Sequence, residues 1–402
     1  MTNFKILSLL GIGLLMTSCT SDDDTPSITV EEPSTYSFTR NGESTVNFGG
    51  QNTRILMANE LIAKFGDFEN ATEEQLLNMY NHQKGAIDFS STDLNNSSKN
   101  IRSKVAASKE YFADNSVESE AIKNHFAEWI GNQTNNVFPN YNNPASAGVA
   151  GQVVLGDKTR YVNEKGIENN QMFAKSLIGA LMADQALNNY LSTSVLDAGD
   201  NRANNDNNVT LEGKPYTMME HKWDEAYGYI YGGEVENEAD PNASDKVHNK
   251  FLHKYSLRVD QNTNFTGIAD DIFQAFKKGR AAIVAKEYSV RDEQISILRK
   301  KISTVIAVRA LHYIQSGKSK IEQGTRTAAF HDLSEGVGFM YSLQFTQNPE
   351  TGNPYMSAEE LNNALDMVLA NDGLWTVEAS TLQEISELIA SKFDFTLAEA
   401  AL

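Results

Sequence analysis

The segment His221-Lys222-Trp223-Asp224-Glu225-Ala226-Tyr227-Gly228-Tyr229-Ile230-Tyr231 returns 110 residues later as His331-Asp332-Leu333-Ser334-Glu335-Gly336-Val337-Gly338-Phe339-Met340-Tyr341. The shared pattern is H-x-x-x-E-x-x-G-[aromatic]-x-Y, with every fixed position in register. Each copy follows a long apolar stretch with a similar end, Ala186-Leu187-Asn188-Asn189-Tyr190 before the first and Ala310-Leu311-His312-Tyr313 before the second. Matches at one displacement point to a copied supersecondary unit rather than to chance. The expectation is a duplicated helix pair within an all-α fold, forming two pseudo-symmetric helical-bundle lobes over about 35–240 and 241–402.

Outward from the repeat, apolar residues recur with a 3.6-residue period. Leu56, Leu61 and Ile62 lie near one face of a helix over 54–65. Thr72-Glu73-Glu74-Gln75 reads as a capping box that opens a helix through Leu76, Leu77 and Tyr80. Ser357 with Glu360 reads as a second box and Thr381 with Glu384 as a third. Gly373, after Asn371-Asp372, is the expected stop of the helix before it. The longest stripes run over 167–191 and 291–314. Strand signals are few: Tyr36-Ser37-Phe38 and residues 152–155. Residues 132–157, 197–208 and 232–241 break the pattern and read as loops.

The 402 residues carry 34 basic and 53 acidic side chains, a net charge of −19. Such a chain is a poor partner for nucleic acid, because phosphate binding needs clustered Lys and Arg. A mean hydropathy of −0.42 excludes a polytopic membrane protein. Residues 6–16 (ILSLLGIGLLM) form an apolar run too short to span a bilayer, followed by Thr17, Ser18 and the only cysteine, Cys19. This is a secretory signal over 1–18 that ends at a cysteine, and it resembles the lipobox of bacterial lipoproteins. The resemblance implies that Cys19 is diacylated and anchors the chain to a membrane. Residues 19–34 then form a flexible acidic tether. Its Ser21-Asp22-Asp23-Asp24 is similar to the surface-export signal of some Gram-negative lipoproteins. The expected location is the outer membrane, facing outward, with a periplasm-facing lipoprotein as the alternative.

With the lipobox, the duplicated His/Glu helix and the C-terminal pattern Ala358-Glu359-Glu360-Leu361…Asn371-Asp372-Gly373-Leu374-Trp375, residues 35–402 resemble the imelysin-like lipoproteins. That resemblance implies two helical bundles, a link to iron-uptake components, and a metal site of zinc or iron. A metallopeptidase activity is known in the founding member. The family pattern places Glu three residues after His, whereas here Asp224 and Ser334 occupy that place and Glu follows one residue later.

At a spacing of four on a helix, His221 can meet Glu225 and His331 can meet Glu335. Such couples can ligate zinc or iron, with Asp224 as a further candidate; the alternative is a structural pair or a buried, hydrogen-bonded His. H-E-x-x-H, which would supply a peptidase base, is absent. Asp184 and Arg309 fall on apolar helix faces, so a cross-lobe ion pair or a polar pocket is expected, against charges that snorkel to water. Gly228 and Gly338 allow close helix approach, with Tyr231 and Tyr341 covering the gap. The alternating oxygens of Asn204, Asp206, Asn208, Thr210 and Glu212, and of Glu234, Glu236, Glu238 and Asp240, lack the Gly and closing Glu of an EF-hand. Calcium is not expected at either run. Three functions follow: a lipid-anchored protein binding metal, haem or a partner, a metallopeptidase, or a scaffold.

Overall fold

Helices form where the sequence carries apolar stripes and side-chain caps, and four of them among the described residues open with a complete capping box. The computed structural model of the chain describes residues 30–233, 240–242 and 248–401. The signal segment, Cys19, most of the tether and the acidic residues Glu234, Glu236 and Glu238 lie outside the described residues.

The described chain opens with a hairpin of β1 (Thr39–Arg40) and β2 (Glu43–Ser44). Its turn, Asn41-Gly42, has positive φ at both residues, as a tight hairpin requires. Helices α1 (Gly49–Lys64), α2 (Glu73–Asn81), α3 (Thr92–Asn96), α4 (Lys109–Phe112) and α5 (Ser116–Asn132) follow. A second hairpin joins β3 (Gly151–Leu155) to β4 (Lys158–Val162). Then come α6 (Asn169–Leu177), α7 (Thr193–Leu196), α8 (Asn201–Asp206) and α9 (Met218–Tyr231). The C-terminal half holds α10 (Leu252–Asp260), α11 (Ile268–Ala285), α12 (Tyr288–Glu322), α13 (Arg326–Ser342), α14 (Ala358–Leu369), α15 (Ala379–Ala390) and α16 (Leu397–Ala400). The all-α expectation holds.

Three local expectations are corrected. Tyr36-Ser37-Phe38 is not a strand: Tyr36 lies flat on Tyr227, with ring centroids 3.7 Å apart, so its apolar spacing serves packing on α9. Thr381 does not start a helix, because α15 begins at Ala379 with Glu378 as its cap. Residues 197–208 are not all loop. They contain α8, whose helical turn sends Asn204 and Asp206 to different sides and removes the alternating calcium-type array.

The 167–191 stripe is one continuous helical run, α6 extended by wider π-type turns over Ile178–Ala183 and Ala186–Tyr190. Nearly all its residues are buried, as expected of a helix with neighbours on every side. Its first half packs on α13, and its last turn packs on α9. The 35-residue α12, about 52 Å long by helical rise, lies against α11, α13 and α15. One apolar cluster runs from Tyr36 to Ala400, so packing continues across residue 240. No helix among the described residues is long and apolar enough to cross a membrane.

Candidate functional site

Both copies of the repeat are helical, α9 and α13, and each meets the start of another helix in the same way. The residue three places after the histidine accepts a backbone N–H from the residue leading into the partner helix. Asn47 N–H donates to Asp224 Oδ2 (3.2 Å) ahead of α1, and Glu168 N–H donates to Ser334 Oγ (2.9 Å) ahead of α6. The repeat glycines fit these crossings. A Cβ on Gly228 would lie 2.4 Å from the Phe48 Cβ, and one on Gly338 would lie 2.6 Å from the Lys175 Cβ and 2.7 Å from the Met172 carbonyl oxygen. Gly338→Ala should therefore push α13 from α6 and cost about 1–3 kcal/mol, measurable by thermal or urea unfolding.

The repeat glutamates sit in matched surroundings. Glu225 accepts from Lys222 Nζ (2.6 Å) and Gln51 Nε2 (3.2 Å), and Glu335 pairs with Lys175 Nζ (3.0 Å). A tyrosine from the apolar helical run before each copy faces each of them: Tyr190, at the end of its run, faces Glu225, and Tyr313, inside α12, faces Glu335. Each of those tyrosine rings also carries a cation. Lys222 and Lys104 lie 5.4 and 5.6 Å from the Tyr190 centroid, and Arg309 lies 4.4 Å from that of Tyr313. Burial pushes both glutamates up, but the ammonium and hydrogen-bond donors beside them outweigh it and hold them below the ordinary range. They act as counter-ions in a cage of cations and tyrosines.

The histidines differ between the copies. His221 stacks on Tyr216 (centroids 4.9 Å apart), and burial lowers its pKa against the pull of Glu225. His331 Nδ1 lies 3.2 Å from both oxygens of Glu168. Among the described residues no three His, Cys, Asp or Glu side chains gather where a metal ion could be held.

The remaining candidates separate. Asp224 is buried against Arg280 (3.0 Å) and the Tyr36 hydroxyl (2.7 Å), tying the N-terminal segment to α9 and α11. Asp184 does not meet Arg309. It accepts the backbone N–H groups of Ala107 and Ser108, both at 2.9 Å, and anchors the chain leading into α4. Tyr231 packs on Tyr227 and Phe273, whereas the Tyr341 hydroxyl lies 2.9 Å from His125 Nδ1.

Arg309 borders a cleft of about 510 Å³ between α10 and α12, lined also by Lys254, Tyr255, Arg258 and Tyr313. Its ionised lining groups are cations, and no carboxylate lines it. Burial, then the charge of Lys175, pulls the Lys254 pKa down. The second repeat's Lys175–Glu335 pair lies behind Tyr255, with Lys175 Nζ 5.6 Å from that ring's centroid.

A family model, described as a domain of unknown function (DUF4856), matches residues 33–396 and so takes in both copies of the repeat. The chain belongs to that family. No curated protein and no solved structure matches it.

Within this DUF4856 domain, several residues of the cleft and cages escaped the sequence reading. Tyr313 and Tyr190 were marked by the matching Ala-Leu endings that precede each copy, but their aim at the repeat glutamates depends on how the helices cross. Lys175 interrupts the apolar 167–191 stripe, which is the signal for a buried, paired cation. Lys254, Tyr255 and Arg258 lie on α10, which has no repeat or motif to mark it.

Proposed function

We propose that the protein is a lipid-anchored binding protein of the outer membrane, facing outward, that captures a ligand for iron uptake in the Arg309 cleft. The observation that carries the binding role is Arg309 itself, a cation only 8% exposed at the wall of a roomy cleft, with no carboxylate of the described residues within ion-pair distance. Desolvating a charge without a counter-ion is costly, and a bound ligand would offset that cost. The anchor rests on Cys19 after its apolar run, and the iron link rests on the imelysin-like resemblance.

Two measurements test this. Cys19→Ser should abolish acyl labelling and move the protein from the membrane to the soluble fraction; retention in the membrane overturns the anchor. The purified protein should bind haemin or the anionic chelate ferric citrate by absorbance or calorimetry, and a deletion strain should grow poorly when iron is limiting. Absence of both effects removes the iron-linked role.

A further inference from the structure

The Arg309 guanidinium stands out because no carboxylate of the described residues pairs with it, so a ligand has no counter-ion to displace. Its central carbon lies 4.4 Å from the centroid of the Tyr313 ring and 5.5 Å from that of Tyr255, and the two rings hold it against the wall. Its Nε is buried and makes no hydrogen bond among the described residues. The two described arginines with no exposure are neutralised by carboxylates, and Arg54, 6% exposed, spends its donors on the carbonyls of Asn100 and Gly50. Arg280 has Glu220 and Asp224, and Arg291 has Asp197 and Asp292. The one carboxylate near the Tyr255–Tyr313 pair, Glu335, is taken by Lys175. Lys254 and Arg258 add two more positive charges on the same wall, in a chain whose overall charge is −19.

We propose that the cleft binds a small, multiply charged oxyanion, with a carboxylate or phosphate group on the Arg309 fork and a second negative group between Lys254 and Arg258. A planar guanidinium presents parallel N–H donors that match two oxygens of one such group. The polyanion stands between three cations that otherwise repel one another, and the tyrosine rings hold Arg309 in place before binding. A volume of about 510 Å³ admits a ligand of metabolite size. This inference rests on the reading of the cleft as the ligand site and names the ligand's chemistry.

The test titrates the full-length protein in detergent with citrate, inorganic phosphate, pyrophosphate and haemin, using glycerol as the neutral control, by calorimetry at low and high salt. At least one of citrate, phosphate and pyrophosphate should bind and weaken with salt, while glycerol does not bind. Arg309→Met should weaken that binding by about 10-fold or more, the loss expected for a charge-assisted hydrogen-bonding group. Lys254→Met, on the half-buried rim, should weaken it less and serves if Arg309→Met misfolds. A preference for citrate assigns a carboxylate, and one for phosphate or pyrophosphate assigns a phosphate; either supports the proposal. Haemin binding that needs Arg309, without binding of the small anions, overturns the ligand class and leaves the cleft as the site. Failure of all four ligands, or affinities unchanged in both variants, overturns both.

Discussion

Arg280→Met is expected to destabilise the fold by about 3–5 kcal/mol at pH 7, the cost of leaving a buried charge without its partner. Arg280 is 0% exposed and holds together segments distant in sequence. Its Nε donates to Asp224 (3.0 Å), one Nη to Glu220 (3.1 Å) and the other to the Thr45 hydroxyl (3.1 Å). Glu220 keeps a second cation, Arg40, at 2.9 and 3.0 Å. Asp224 has no other ion-pair partner among the described residues: burial pushes its carboxyl up, and Arg280 is the largest opposing influence. In the variant the carboxyl must take up a proton or stay buried and charged. The loss should therefore shrink when urea unfolding is repeated at pH 5, where protonation is easier. Adding Asp224→Asn to Arg280→Met should recover part of the stability, since it removes the stranded charge. A single-variant loss below about 1 kcal/mol would mean that water already compensates the site.

That network shows where reading the chain by itself runs out. The repeat, the capping boxes at Thr72 and Ser357 and the long 291–314 stripe are local patterns, and each becomes a helix in place. Residues 167–191 also read as helix, but the wide turns after Leu177 do not follow from a 3.6-residue period. They shift the face on which Asp184 and Asn188 lie. Arg280 follows Lys277 and Lys278 in a helix and looks like a surface charge; its burial is set by Asp224 and Glu220, more than fifty residues earlier. The same limit held for the candidate site. The spacing of His and Glu was legible, and so was Lys222 three residues before Glu225, whereas the cation that claims Glu335 is Lys175 from another helix, α6. The fold thus turned a ligand-like spacing into a pair of counter-ion cages. Arg309, expected either on a helix edge or in a polar pocket, borders the cleft.

Asp184 gives the clearest expected pH signature. Its carboxylate is fully buried and makes no ion pair among the described residues; it accepts from the backbone of Ala107 and Ser108 and from the side-chain amides of Gln185 (3.3 Å) and Asn188 (3.5 Å). Burial pushes its pKa up to about 6, with the donors from Ala107, Ser108 and Asn188 opposing. An aspartate in the unfolded chain titrates near 3.9. Between those values the folded protein keeps a proton that the unfolded chain has released, so this group's contribution is full below about pH 4 and is lost as the pH rises through 6. The loss amounts to about 3 kcal/mol. Asp184→Asn cannot titrate, so the stability of the wild type minus that of the variant should fall by about that amount from pH 4 to pH 7 in urea unfolding. The depressed glutamates Glu225 and Glu335 act in the opposite sense, stabilising the fold as pH rises, and they are common to both proteins; the subtraction removes them. A difference that stays flat with pH would show that the N–H donors fully compensate burial and that Asp184 is ionised throughout. In that case the turn at 107–108 is fastened by a buried carboxylate as stable as one in water, and Asp184→Asn should then be costly at every pH, because an amide presents an N–H where the carboxylate had an acceptor.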